Sequence, residues 1–159
     1  MASLQRSYTV DEAKRKLEQY CAYQERCHAE VVQKLKDMKM IPQAIDIIVV
    51  HLIDNNFLNE ERFAMSFARG KFRIKHWGRR RIVNELKSRN ISIYNINKAL
   101  KEIPDHEYAE TFEKLSAKEW EGSVENNILK RKKKVADYLL RKGYESDIVL
   151  DRLHFLARQ

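Results

Sequence analysis

The chain repeats itself, and this restricts its fold more than any other feature. Val31, Leu35, Met40, Ile45 and Val49 stand at offsets 0, 4, 9, 14 and 18, and so do Ile82, Leu86, Ile91, Ile96 and Leu100, then Val135, Leu139, Tyr144, Val149 and Leu153. Successive copies are 51 and 53 residues apart. In each copy the first two positions lie one helical turn apart, the third falls in a break, and the last two resume the four-residue step. Each copy therefore contains a helix, a tight turn and a second helix.

The breaks carry residues suited to them. Pro42 fits the first turn of a helix, Ser92 an N-cap, and Gly143 the position closing a helix. A further amphipathic helix precedes each pair, carrying Ala13, Leu17 and Tyr20, then Phe63, Phe67 and Ile74, then Tyr108, Phe112 and Leu115. Asn59 before Glu60 and Glu61 marks one helix start, and Asp105 with Glu107 another. The pattern predicts an all-α fold of three tandem three-helix repeats over residues 1–55, 56–103 and 104–159. A module of about 50 residues buries too little apolar surface alone, so the copies are expected to share faces in an elongated, curved array. The third copy has extra residues around 121–123.

Four glycines and two prolines in 159 residues are too few for the turns of an all-β fold, and argue against a glycine-cradled nucleotide site. No apolar run approaches the length of a membrane span and the start lacks a leader pattern, so a soluble, cytoplasmic monomer is expected. Cys21 and Cys27 are six apart in a segment that reads as helix, which sets them about 240° apart around its axis and prevents a bridge. His28 follows Cys27, but no second Cys/His pair stands at zinc spacing, and no metal site is expected. No nucleophile sits in a catalytic context and the histidines are scattered, His76 reading as a helix-end residue. The expectation is a protein without enzymatic activity or cofactor.

The formal charge of +8 is unevenly spread. Residues 69–89 carry +8, residues 130–142 carry +6, and the remainder is net −6. Concentrated positive potential beside an acidic remainder orients a molecule on a polyanion or an acidic protein groove. Arg62, Ser66, Arg69, Arg73 and His76 fall on one helical face and Phe63, Phe67 and Ile74 on another, so these arginines are expected to face solvent. The run 130–134 is in phase with Ile128, Val135 and Leu139, which places it on a folded helix instead of in a nuclear address label.

Arg62-Phe63-Ala64, then Phe67 and Arg69, then Trp77-Gly78, Arg81-Ile82, Glu85-Leu86 and Ile91 resemble the central signature of the RecX regulatory proteins. Glu30-Val31 with Lys34-Leu35 resembles the family's first repeat, and Tyr138-Leu139 through Lys142-Gly143-Tyr144 its third. Cys27 departs from the family's usual capping serine, and Asn90 from a glycine closing the second helix of the middle repeat; Asn tolerates the left-handed conformation, whereas Cys is a weak cap. Phe63, Phe67, Ile82, Leu86 and Ile91 should form the core of that repeat, Trp77 should staple the helix junction, and Gly78 should allow the turn.

The resemblance implies a modulator that lies in the groove of the RecA filament on single-stranded DNA and restrains its ATP hydrolysis, strand exchange and growth in recombination, DNA repair and the SOS response. Contact is expected from Arg62, Arg69, Arg73, Lys75, Arg79, Arg80, Arg81 and Lys87, with Lys130, Arg131, Lys133 and Lys134 as a second edge. The competing reading is a stand-alone DNA-binding protein whose third helix in each copy enters a major groove. Against it, the middle copy's third helix, at 92–103, offers only Lys98 and Lys101, and no arginine. A helical scaffold for another acidic protein is the remaining alternative.

Overall fold

The computed structural model describes residues 7–159, in which nine helices and no strand occur. They are α1 (Val10–Tyr23), α2 (His28–Asp37), α3 (Pro42–Asp54), α4 (Glu60–Arg73), α5 (Arg79–Ser88), α6 (Ile93–Leu100), α7 (Asp105–Gly122), α8 (Ile128–Lys142) and α9 (Ser146–Ala157). Helix starts follow local chemistry. Thr9 and Glu12 close a reciprocal capping box on α1, and the side chains of Asn59, Ser92 and Asn127 accept from free amides of α4, α6 and α8. Pro42 occupies the first turn of α3. Cys27 flanks α2 without a side-chain capping bond, as expected of a thiol.

The second helix of every repeat ends in the same way. Lys39, Asn90 and Gly143 are left-handed, with φ of 62°, 59° and 103°. The next residue then donates its N–H back to the carbonyl of Leu35, Leu86 or Leu139, at 3.1, 3.1 and 3.2 Å. The turn thus drops Met40, Ile91 or Tyr144 toward the core, and the following helix returns across it. Of the fifteen repeated apolar positions all are buried except Met40 and Leu100, which are half-buried.

The second and third repeats share one core, running from Phe63 and Phe72 through Ile82, Leu86 and Ile96 to Tyr108, Phe112, Tyr144 and Leu153. The first repeat has its own, built on Leu17, Leu35, Ile48 and Leu52. Among the described residues, Cys27 is the one buried side chain of the first repeat that joins the larger core. The accessible surface is 10445 Å² for 19.0 kDa, against about 8,400 Å² for a compact monomer of that mass. The excess is what an extended array of small modules exposes.

Several side chains sit elsewhere than their spacing suggests. Cys21 and Cys27 do not share a helix, because α1 ends at Tyr23 and the chain is extended before α2. Ile74 is 75% exposed because α4 ends at Arg73, and the apolar face is completed by Phe72 instead. His76 is not on the α4 face either; it lies in the following turn with φ of 57°. Phe67 and Trp77 are half-buried against the core instead of inside it, and Ile128, at the first turn of α8, is 47% exposed. Among the described residues no helix is long and apolar enough to cross a membrane, and no His, Cys, Asp and Glu side chains group as a metal site would require.

Candidate nucleic-acid interface

The two basic runs of the sequence meet where α5 begins and α8 ends. Gly78, ahead of α5, has an ordinary φ of −75°, so the turn itself does not require glycine. Its neighbours do. A Cβ there would lie 2.3–2.4 Å from the backbone of Gly143 and Tyr144, and one on Gly143 would lie 2.4 Å from the Cβ of Arg81. Two glycines on different repeats let two backbones touch.

Hydrogen bonds then stitch the contact. Gly78 N–H donates to the Lys142 carbonyl at 2.7 Å and Arg80 N–H to the Gly143 carbonyl at 3.0 Å. Arg79 N–H donates to the Tyr108 hydroxyl at 3.1 Å. Two free amides of the α5 N-terminus are thereby satisfied by the end of α8 and a third by Tyr108 of α7, and opposite ends of two helix dipoles meet. The Tyr144 hydroxyl donates to the His76 carbonyl at 2.8 Å and that of Tyr108 to Glu145 Oε1 at 2.8 Å. Burial pushes both phenols well above their ordinary pKa, with the Glu145 carboxylate adding to the effect, so both remain donors.

Around this seam the cations project outward. The Arg81 guanidinium lies 4.1 Å over the Trp77 ring and donates to the Arg141 carbonyl at 3.3 Å, while Lys142 Nζ donates to the Lys75 carbonyl at 3.0 Å. Trp77 in turn rests edge-on against Phe67 at 6.1 Å between centroids. The signature aromatics therefore orient an arginine as well as pack. A groove of about 540 Å³ opens beside the seam, lined by Arg80, Arg81, Asn84, Glu85, Leu140, Arg141, Gly143, Tyr144 and Ser146. Among the described residues Lys75, Arg80, Arg81, Arg141 and Lys142 have no acidic partner within ion-pair distance: Arg62, Arg69, Arg73, Arg79 and Arg89 pair with carboxylates, and these five do not.

Of the other cations named from the sequence, Lys87 and Lys130 likewise have no ion-pair partner among the described residues, and the rest are engaged. Arg62 is bound to Glu25 at 2.6 Å and to the carbonyls of Asn56 and Phe57, holding the first repeat against the second. Arg69 pairs with Glu102, Arg73 with Glu107 and Arg79 with Asp105, at 3.2, 3.7 and 2.6 Å. Lys87 is exposed near the far end of α5. Lys130, Arg131, Lys133 and Lys134 lie near the start of α8, about 16 Å along the helix from Arg141 for Lys130. Arg131 binds the Trp120 carbonyl, Lys133 pairs with Asp137 and Lys134 with Glu125. Arg141 and Lys142 were visible as charge, but nothing local in the sequence joins them to Lys75 and Arg81. The only trace of that contact is a glycine at each partner turn.

On the third helix of the middle repeat two of the polar groups that could address base edges are engaged by α4: Lys98 is held by Glu61 at 2.8 Å and Asn95 by Glu60, while Asn97 and Lys101 stay exposed.

Comparison with known proteins agrees with this architecture. The family model described as RecX, second three-helix domain, matches residues 59–100, and RecX, third three-helix domain, matches residues 106–151. The regulatory protein RecX of Bacillus cytotoxicus is 24% identical over 130 residues, covering 82% of this chain and 48% of that protein; that of Bacillus mycoides is 25% identical over the same shares. This chain thus spans about half the length of the curated relatives it matches. The crystal structure of RecX from Lactobacillus salivarius superposes with a TM-score of 0.78 at 23% identity, covering 94% of this chain and 97% of that one. A second crystal structure of a regulatory protein RecX gives 0.80 at 23% identity, over 91% and 71%. Two adjoining family domains on more than half of the sequence, in the order and at the positions of the repeats, establish that this chain belongs to the RecX family.

Proposed function

We propose that this protein is a non-enzymatic regulator that binds the RecA filament on single-stranded DNA and restrains its ATP hydrolysis, strand exchange and extension. The relatives are named regulatory proteins, and the family's name supports a RecA-related partner. The observation that carries the reading is the cluster Lys75, Arg80, Arg81, Arg141 and Lys142, without ion-pair partners among the described residues and held together on α5, α8 and the turn before α5 by backbone contact. A group of unpaired cations gathered at one seam suits phosphates or carboxylates, since charge complementarity speeds docking and sets its orientation. Arg73 and Arg79, already paired with Glu107 and Asp105 of the third repeat, help to hold that repeat in position, and Arg69 is paired with Glu102 of its own repeat.

The test is the rate of DNA-dependent ATP hydrolysis by RecA preassembled on single-stranded DNA as this protein is titrated in, with binding to bare DNA measured in the same buffer. Hydrolysis should fall at protein concentrations too low to coat the DNA. Unchanged hydrolysis together with salt-sensitive binding to bare DNA would reject filament action in favour of independent DNA binding.

A further inference from the structure

The helix α3 has the composition of a buried helix and the position of a surface one. Eight of its thirteen residues are apolar, on every side of the axis. Ala44, Ile45, Ile48, Val49 and Leu52 enter the core of the first repeat, while Ile47, Val50 and Ile53 remain 54%, 55% and 51% exposed. At spacings of three residues they form one continuous ridge across successive turns.

The repeat supplies an internal comparison. The positions of Ile47 and Val50 are held by Lys98 and Lys101 in the second copy and by Asp151 and His154 in the third. The same geometry therefore accepts polar side chains at both places, and folding alone does not call for aliphatic ones. An exposed ridge of this kind marks an interaction surface.

Its charge selects the occupant. The ionised side chains on α3 are Asp46 and Asp54, with no lysine or arginine, while His51 is engaged by Glu18 at 2.6 Å. A nucleic acid or an anionic membrane would be repelled, and a second copy of the same face would set acid against acid. We infer that the outer face of α3 docks an amphipathic helix of a partner protein whose aliphatic ridge is flanked by Lys or Arg. The inference stands on α3 alone and does not depend on the filament reading.

The test uses the full chain and two synthetic helical peptides of about 14 residues with the same leucine ridge, one flanked by lysines and one by glutamates. The lysine peptide should bind at least about tenfold more tightly than the glutamate peptide. The double substitution Ile47→Lys and Val50→Lys, which installs the second copy's residues, should abolish binding with helical circular dichroism and thermal midpoint unchanged. Asp46→Lys with Asp54→Lys should reverse the preference between peptides, a result that does not depend on the first variant folding. Three results would each overturn the assignment: binding of neither peptide, equal binding of both, or a wild-type dimer in sedimentation that Ile47→Lys with Val50→Lys dissociates.

Discussion

Replacing Gly78 by alanine puts the close approach of two backbones to direct test. The new Cβ would stand 2.3 Å from the Gly143 carbonyl carbon and 2.4 Å from its oxygen and from Tyr144 N. Relief requires the seam to open by about 1 Å, since carbon atoms settle at about 3.5–4.0 Å. None of the obstructing atoms belongs to a flexible side chain that could swing aside. Opening would also break the bonds from Gly78 N–H to Lys142 and from Arg80 N–H to Gly143. Overpacking at about 1–3 kcal/mol and two hydrogen bonds at about 1 kcal/mol each sum to about 3–5 kcal/mol. That corresponds to a fall in thermal midpoint of about 6–20 °C. The control is Gly70→Ala in α4, where a Cβ meets nothing within 4 Å and the gain in helix propensity should add about 0.5–1 kcal/mol. Urea unfolding of both variants measures the contrast. A Gly78→Ala protein within about 0.5 kcal/mol of wild type, the ordinary range for a surface substitution, would refute the seam as a tight backbone contact.

Other parts of the account make separate predictions. Lys39 holds a left-handed φ of 62° that lysine disfavours, so Lys39→Gly should raise the unfolding free energy by about 0.5–1 kcal/mol in the same assay. Arg62→Met removes the partner of Glu25, whose other oxygen, Oε2, is already buried without a hydrogen bond; a loss of about 1–3 kcal/mol is expected, with amide exchange accelerating first in α1–α3. Burial pushes the Cys21 thiol up to about 11, leaving about one thiolate in a thousand at pH 8, and the Cys27 thiol is also raised, mainly by burial. Both should resist a thiol reagent until the protein unfolds. Raised acids bind protons more tightly in the folded state, so the stability contributed by Cys21, Cys27, Tyr108 and Tyr144 is complete below their unfolded pKa values and is lost as pH climbs toward the folded ones. Unfolding free energy should hold from pH 7 to 8 and decline above about pH 9.

What the sequence reveals of this fold is whatever recurs at helical spacing. The offsets from Val31 to Val49 repeat because one turn geometry recurs three times, and Asn59, Ser92, Pro42 and Gly143 mark boundaries through their own local chemistry. Lys39 escapes such a reading because nothing in lysine announces a left-handed residue; its place in the repeat does. Cys27 reads as part of a helix because no glycine or proline interrupts residues 10–37, yet its side chain belongs to the next repeat's core. The candidate site is less legible for a related reason. Charge density is a property of composition and shows which segments are basic, but whether an arginine is free depends on carboxylates that folding brings to it from tens of residues away. Glu102, Glu107 and Asp105 claim Arg69, Arg73 and Arg79, whereas Arg80 and Arg81 keep their charge uncompensated. Gly78 illustrates the same limit. Its need for a missing Cβ comes from Gly143, 65 positions later, and not from its own backbone angles.

The central claim is that the seam between the second and third repeats, and not the whole basic surface, engages the filament. Its most direct test compares two charge-reversal pairs for suppression of RecA ATP hydrolysis on single-stranded DNA. Arg80→Glu with Arg141→Glu should raise the protein concentration needed for half-suppression by at least about tenfold, as loss of two unpaired cations from one contact requires. Lys130→Glu with Lys133→Glu, near the far end of α8, should shift it by less than about threefold. Equal shifts for the two pairs, or a larger one for Lys130 and Lys133, would contradict the claim and return the contact to the basic surface at large.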